Sequence, residues 1–135
     1  MISDKENKML LEAHPDLQAL FKRAAEFLPI KILSVKRTTA EQQKLLDQKA
    51  TTTLQSKHCL TPSEAVDFAP LAVDNSIKWD DAWTFAYFAG VLQGIAHEMG
   101  ITLRYGADWN QNWRLTDPQD LKSLRDFGHV ELVKK

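Results

Sequence analysis

A chain of 135 residues with 44% hydrophobic and 26% charged side chains can bury one core without staples, so it is expected to form a single domain over residues 1–135; its lone Cys59 excludes an internal disulfide. A formal net charge of −1, with no basic run beyond the Lys134-Lys135 pair, argues against a nucleic-acid partner. The opening mixes both charge signs where a secretory signal needs a basic and then an apolar segment, and the longest apolar stretch, around residues 85–95, falls short of the ~20 residues that span a bilayer, so neither an export signal nor membrane insertion is expected.

Ser3 followed by Glu6 fits a capping box, and Pro15-Asp16 fits the first turn of a second helix carrying Leu17, Leu20, Phe21, Ala24 and Leu28 at helical spacing. His14 stands at the opening of that helix. Pro29 ends the pattern, and residues 30–35 form a short aliphatic run suited to a strand covered on both faces, with Arg37 at its exit. Thr38 and Thr39, with Glu41 and Gln42 three residues on, predict an N-cap for a helix running to about Lys49. Residues 50–63 are rich in Thr, Ser and Lys, include Pro62 and keep no period, and a loop that long invites a functional reading.

In the next strand, residues 65–69, alternation sends Val66 and Phe68 to one face and Asp67 to the other before Pro70 stops it. Asp80 or Asp81 then caps a helix ending near Gly100. Within it Trp83, Tyr87 and Val91 form one apolar stripe and Phe88, Leu92, Ile95 and Met99 an adjoining one, which predicts a central helix apolar over most of its surface. Residues 101–105 are a third strand candidate, and residues 106–128 read as loop with a helical turn around 117–124. Residues 129–133 form a last strand, placing His129 and Glu131 on one face and Val130 and Leu132 on the other. The sum is a one-domain α+β chain.

A zinc hydrolase needs three ligands of the His and carboxylate type, an open position for water and a nearby base. Asp67 and His129 each occupy the polar face of a strand whose other face is apolar, and they converge if the two strands are neighbours. His58, at the end of the long loop, can complete the trio, and Asp126, three residues before His129, is placed to act on water. Read singly, a His or Asp near a strand end is most often a capped or solvated polar group, so spacing alone does not settle the set. His97 lies late in its helix, where a cation favours the macrodipole and needs no catalytic explanation. Cys59 beside His58 is not read as a nucleophile, because sequence neighbours project in different directions.

Ser56-Lys57-His58 leading to Ala65-Val66-Asp67, and Asp126-Phe127-Gly128-His129-Val130-Glu131, resemble the two motifs of the zinc D-Ala-D-Ala carboxypeptidase family, whose small phage members are L-alanyl-D-glutamate endopeptidases used as endolysins. The order of parts is similar as well: Arg37-Thr38 with Gln42, Ser-x-His, Ala-x-Asp, a long helix, Gly106-Ala107-Asp108-Trp109, then His-x-Glu. One departure is the connection Cys59-Leu60-Thr61-Pro62-Ser63-Glu64, longer than the family's usual Gly-containing link, which bears more on substrate shape than on ligand identity. The resemblance implies a small antiparallel sheet flanked by helices, of the type shared with hedgehog domains, and a single Zn2+ held by His58, Asp67 and His129. It further implies Asp126 as general base and Arg37 as the group that stabilises the oxyanion or holds a substrate carboxylate. Ser56 and Glu131 would orient the ligands. Gln42, Asp108 and Trp109 would lie around the cleft, although a turn and a packed aromatic account equally for the last two.

By that resemblance the substrate is the peptidoglycan stem peptide, cut by a monomer at the L-alanyl-D-glutamate bond. That bond is favoured over terminal D-Ala-D-Ala because the chain is as short as the phage endolysins, with no separate wall-binding module expected. Such a protein would be made in the host bacterial cytoplasm and reach the wall through a membrane-permeabilising partner or by lysis from outside. The competing readings are a D-Ala-D-Ala carboxypeptidase or dipeptidase, a zinc-binding module without turnover, and a binding domain without metal. The presence of both Asp126 and Arg37 argues for an enzyme.

Overall fold

The computed structural model describes residues 2–48, 56–116 and 125–133. Its first two helices begin where side chains can satisfy the free N–H groups of a first turn. Ser3 Oγ accepts from the Glu6 N–H to open α1 (Asp4–Leu10), and His14 Nδ1 accepts from the Asp16 N–H to open α2 (Pro15–Ala25). Glu6 does not turn back to complete a capping box at Ser3; it is buried and faces Lys31 Nζ at 3.6 Å. The reciprocal box forms at α3 (Thr39–Asp47), where the side chains of Thr38 and Glu41 each bond the other's backbone N–H at 3.1 Å.

Four strands, β1 (Ile30–Ser34), β2 (Ala65–Pro70), β3 (Leu103–Tyr105) and β4 (His129–Leu132), build one antiparallel sheet in the order β1-β2-β4-β3. The two strands that carry Asp67 and His129 are therefore its central pair. Their register sets Asp67 opposite His129 and Val66 opposite Val130, so two polar residues share one face and two valines the other. Val66, Phe68 and Val130 pack into the core with Leu17, Leu20 and Phe21 of α2.

Two expectations are corrected here. The first strand is not covered on both faces: it is an edge, with Lys31 turned to solvent, and a charge on an edge strand guards its open hydrogen-bonding row. It also carries a bulge, since Ile32 pairs with Phe68 and Ser34 with Asp67, leaving Leu33 unpaired beside the polar centre.

The second correction concerns α4 (Ala82–Glu98), capped by Asp81, whose carboxylate accepts from the Thr84 N–H and hydroxyl. Phe85, Phe88, Ala89, Leu92 and Ala96 face inward, but Trp83 is 90% and Tyr87 72% exposed. α2 packs beside α4 over the sheet and α1 lies against β1, while Trp83 and Tyr87 stay on the open side of α4. Hydrophobicity alone cannot tell an inner stripe from an outer one. No described helix is long and apolar enough to cross a membrane. The helical turn expected around residues 117–124 lies outside the described residues, as do the expected helix end at Lys49 and residues 50–55 of the long loop, whose later part folds into a 3-10 turn at Lys57–Cys59.

Candidate metal centre

The polar face of the β2-β4 pair and the 3-10 turn bring His58, Asp67 and His129 together, with one ligand-type atom from each lying within 4.8 Å of the others. His58 arrives on a turn held from three sides. Ser56 Oγ accepts from the His58 N–H at 3.1 Å, the Arg37 N–H donates to the His58 carbonyl at 2.9 Å, and the Val35 carbonyl accepts from His58 Nδ1 at 2.7 Å. Ser56 thus orients His58 through its backbone, while the ring is fixed by Val35. A carbonyl can only accept, so Nδ1 carries the proton and Nε2, 3.1 Å from Asp67 Oδ1, has the lone pair when the ring is neutral.

His129 is the mirror case. Its Nε2 lies 2.9 Å from Glu131 Oε1 and its Nδ1 lies 3.0 Å from Asp67 Oδ1. Burial raises the Glu131 pKa, but the His129 hydrogen bond and the charges of His129, Lys57 and Arg104 outweigh it and hold the carboxyl below its ordinary value. Glu131 therefore accepts, and the lone pair of a neutral His129 faces Asp67. Lys57 Nζ and Arg104 Nη1 approach Glu131 Oε2 at 3.5 and 3.6 Å, and Lys57 Nζ also donates to the Leu132 carbonyl.

Two neutral imidazoles would therefore aim lone pairs at one carboxylate oxygen, a repulsive arrangement that a cation or a proton relieves. In the metal-free protein the proton does so. Burial lowers the His129 pKa, but hydrogen bonds to Asp67 and Glu131 reverse this and lift it to about 9. Burial likewise raises Asp67, and the hydrogen bonds from His129 and His58 then pull it well below the carboxylate range. The donor set, two imidazole nitrogens and a carboxylate with the distal nitrogen of each ring pinned, suits a zinc-type ion.

Arg37 donates from Nη1 to Gln42 Oε1 at 2.7 Å and from Nη2 to Asp67 Oδ2 at 3.3 Å. Gln42 is fully buried and anchors the guanidinium against the Asp67 carboxylate. The Trp109 ring lies 5.5 Å from that of His129 and walls it off on one side. Asp108 accepts from the N–H groups of Asn112 and Trp113 at 3.2 and 2.9 Å, so its carboxylate closes the loop after Trp109.

Asp126 is placed by backbone. Its N–H donates to the Gly106 carbonyl, the Gly106 N–H donates to the His129 carbonyl, both at 2.8 Å, and the His129 N–H returns to the Asp126 carbonyl at 3.2 Å. Any Cβ at Gly106 would overlap the Asp126 carbonyl and press on His129 Cβ, so only glycine admits this approach. Asp126 shares with Asp67 a cavity of about 320 Å³, walled by Leu33, Phe68, Trp79, Phe85 and Phe127. Burial and the nearby Asp67 charge push its pKa up, although one side of the residue stays open to solvent.

Sequence reasoning missed Lys57, Arg104 and the Val35 carbonyl. The alternation Leu103-Arg104-Tyr105 held the signal for Arg104, which pairs across from Glu131; a backbone acceptor such as Val35 leaves none. The model for phage L-alanyl-D-glutamate peptidases matches residues 1–133.

The chain belongs to the phage L-alanyl-D-glutamate peptidase family. It is similar to the L-alanyl-D-glutamate peptidase of Escherichia phage T5, with 33% identity over 129 residues that cover 93% of each chain. Its structure is similar to the crystal structure of the Serratia marcescens L-Ala D-Glu endopeptidase ChiX, with a TM-score of 0.78 at 23% identity over 98% of this chain and 90% of that one. That likeness bears out the expected α+β fold, and the family bears out the resemblance drawn from the two motifs.

Proposed function

We propose that this member of the phage L-alanyl-D-glutamate peptidase family is a zinc endopeptidase that hydrolyses the L-alanyl-D-glutamate amide of peptidoglycan stems. The observation that carries it is the convergence of His58, Asp67 and His129, with the outer nitrogen of each ring already engaged and Asp126 bordering the same cavity as Asp67. His58 Nε2, an Asp67 oxygen and His129 Nδ1 would hold the ion. A bound Zn2+ would supply Lewis acidity and lower the pKa of water at the site to about 7.

The chain's own residues do the rest. Asp126, its proton affinity raised above that of an ordinary carboxyl, accepts a proton from the water that attacks the L-alanyl carbonyl carbon. It returns that proton to the D-glutamyl nitrogen as the C–N bond breaks. Arg37, held beside Asp67, adds positive charge where the carbonyl oxygen becomes an oxyanion. Glu131 and Ser56 keep the two imidazoles aimed, and Trp109 limits solvent access to His129. The chain works as a monomeric catalytic domain, made in the host cytoplasm before it meets the wall.

Mass spectrometry of digested muropeptides tests the bond: stems cut after L-Ala support the reading, and free D-Ala instead rejects it in favour of a carboxypeptidase. Asp126→Asn is expected to lower kcat by about 10²–10⁴-fold while zinc content stays at one ion per chain. Undiminished lysis by that variant removes Asp126 as the base.

A further inference from the structure

Among the described residues that line the cavity beside Asp126, Arg125 alone is basic. Its guanidinium is fixed in place: Cζ lies over the Phe127 ring, 4.8 Å from the centroid, and Nη2 donates to the Leu115 carbonyl at 2.8 Å. Yet it forms an ion pair with no described carboxylate, neighbouring Asp126 included, and its buried Nε–H has no acceptor among the described residues. Arg37 differs, because both its terminal nitrogens are engaged, with Gln42 and Asp67. The cation on the cavity wall thus has no counter-charge among the described residues, and a ligand carboxylate is the partner that the cavity-facing part of its planar fork matches.

The substrate supplies such a group at the right place, given the endopeptidase reading above, on which this inference rests. A glutamyl residue uses its amino group in the scissile amide and one carboxyl to continue the stem, so its other carboxyl is free. Its nitrogen is the atom that Asp126 must protonate, so the residue sits on the Asp126 side of the cleft, where Leu33 and Phe127 offer apolar wall to its methylenes. We infer that Arg125 is the specificity-determining residue that receives the free carboxylate of the leaving-side D-glutamyl residue, and that the enzyme therefore distinguishes stems in which this carboxyl is free from stems in which it is amidated.

The experiment uses two synthetic stem peptides, identical except for a free or carboxamide glutamyl group, with the zinc-loaded full chain. Wild type is expected to favour the acid by about 10–100-fold in kcat/KM, the span of a charge-assisted hydrogen bond. Arg125→Gln is expected to bring that ratio near one by lowering the rate on the acid alone, and Arg125→Lys to restore part of it. A wild-type ratio near one overturns the inference, as does an Arg125→Gln variant slowed equally on both peptides, the signature of a merely structural role. Calorimetric binding of the same peptides to Asp126→Asn separates this from the parent reading. If wild type cuts neither peptide, the endopeptidase assignment falls, and equal binding of acid and amide would then sink the Arg125 role as well.

Discussion

The two histidines of the centre are held in different ways. His129 rides on a central strand, its position set by pairing opposite Asp67, and its outer nitrogen meets a carboxylate that Lys57 and Arg104 keep ionised. His58 rides on a short turn in a long loop, and its outer nitrogen meets a neutral backbone carbonyl. A strand fixes a side chain through many ladder bonds, whereas a turn must be pinned contact by contact, here by Ser56, Arg37 and Val35. The strand-borne ring, flanked by two carboxylates, is thus the one whose proton affinity its partners raise, and the loop-borne ring is fixed by backbone contacts.

The sharpest way to break this comparison is Glu131→Gln. Losing the carboxylate behind His129 should weaken zinc binding by about 10–100-fold, read by competition with a chelator of known affinity. No side-chain substitution removes the Val35 carbonyl, so His58 has no equivalent weak point. Unchanged affinity in the Glu131 variant would show that the strand alone orients the ring.

Acid should also act on the strand side. The metal-free pKa of His129 is raised to about 9, so below that pH an ion must displace a proton, and apparent zinc affinity should fall by about tenfold per unit as pH drops from 9 towards the ordinary histidine range. Stability of the metal-free protein runs the other way. A raised histidine pKa contributes stability that is complete below the unfolded value of 6.5 and is lost as pH rises through about 9. Zinc titrations and chelated melts at several pH values would expose a failure of either sign.

The smallest effect belongs to the loop. Ser56→Ala removes the cap of the His58 turn and should cost about 1 kcal/mol of stability in denaturant titrations, with zinc affinity changed less than in the Glu131 variant. A larger loss of affinity than Glu131→Gln produces would reverse the assignment of which ligand is more dependent on its support.

Much of this was legible in the chain. Period-2 alternation put Asp67 and His129 on polar strand faces with valines behind them, and the caps at Ser3, Thr38 and Asp81 marked three helix starts. Local rules sufficed because caps and strand parity depend on residues a few positions apart. The same rules misjudged β1 and α4. Whether a strand is an edge, or whether Trp83 and Tyr87 find a covering layer, depends on how many elements stack and in what order.

What the sequence by itself determined is the inventory: two imidazoles and a carboxylate with the right strand parity, a second carboxylate three residues before His129, and helices to back one sheet. Only the tertiary structure decided that β2 and β4 are neighbours, that Val35 and Glu131 choose which nitrogen of each ring faces Asp67, and that Gly106 lets the Asp126 backbone come within hydrogen-bond reach beside His129. The reason is that parity is written within a segment, while register, tautomer and close approach arise between segments far apart in the chain.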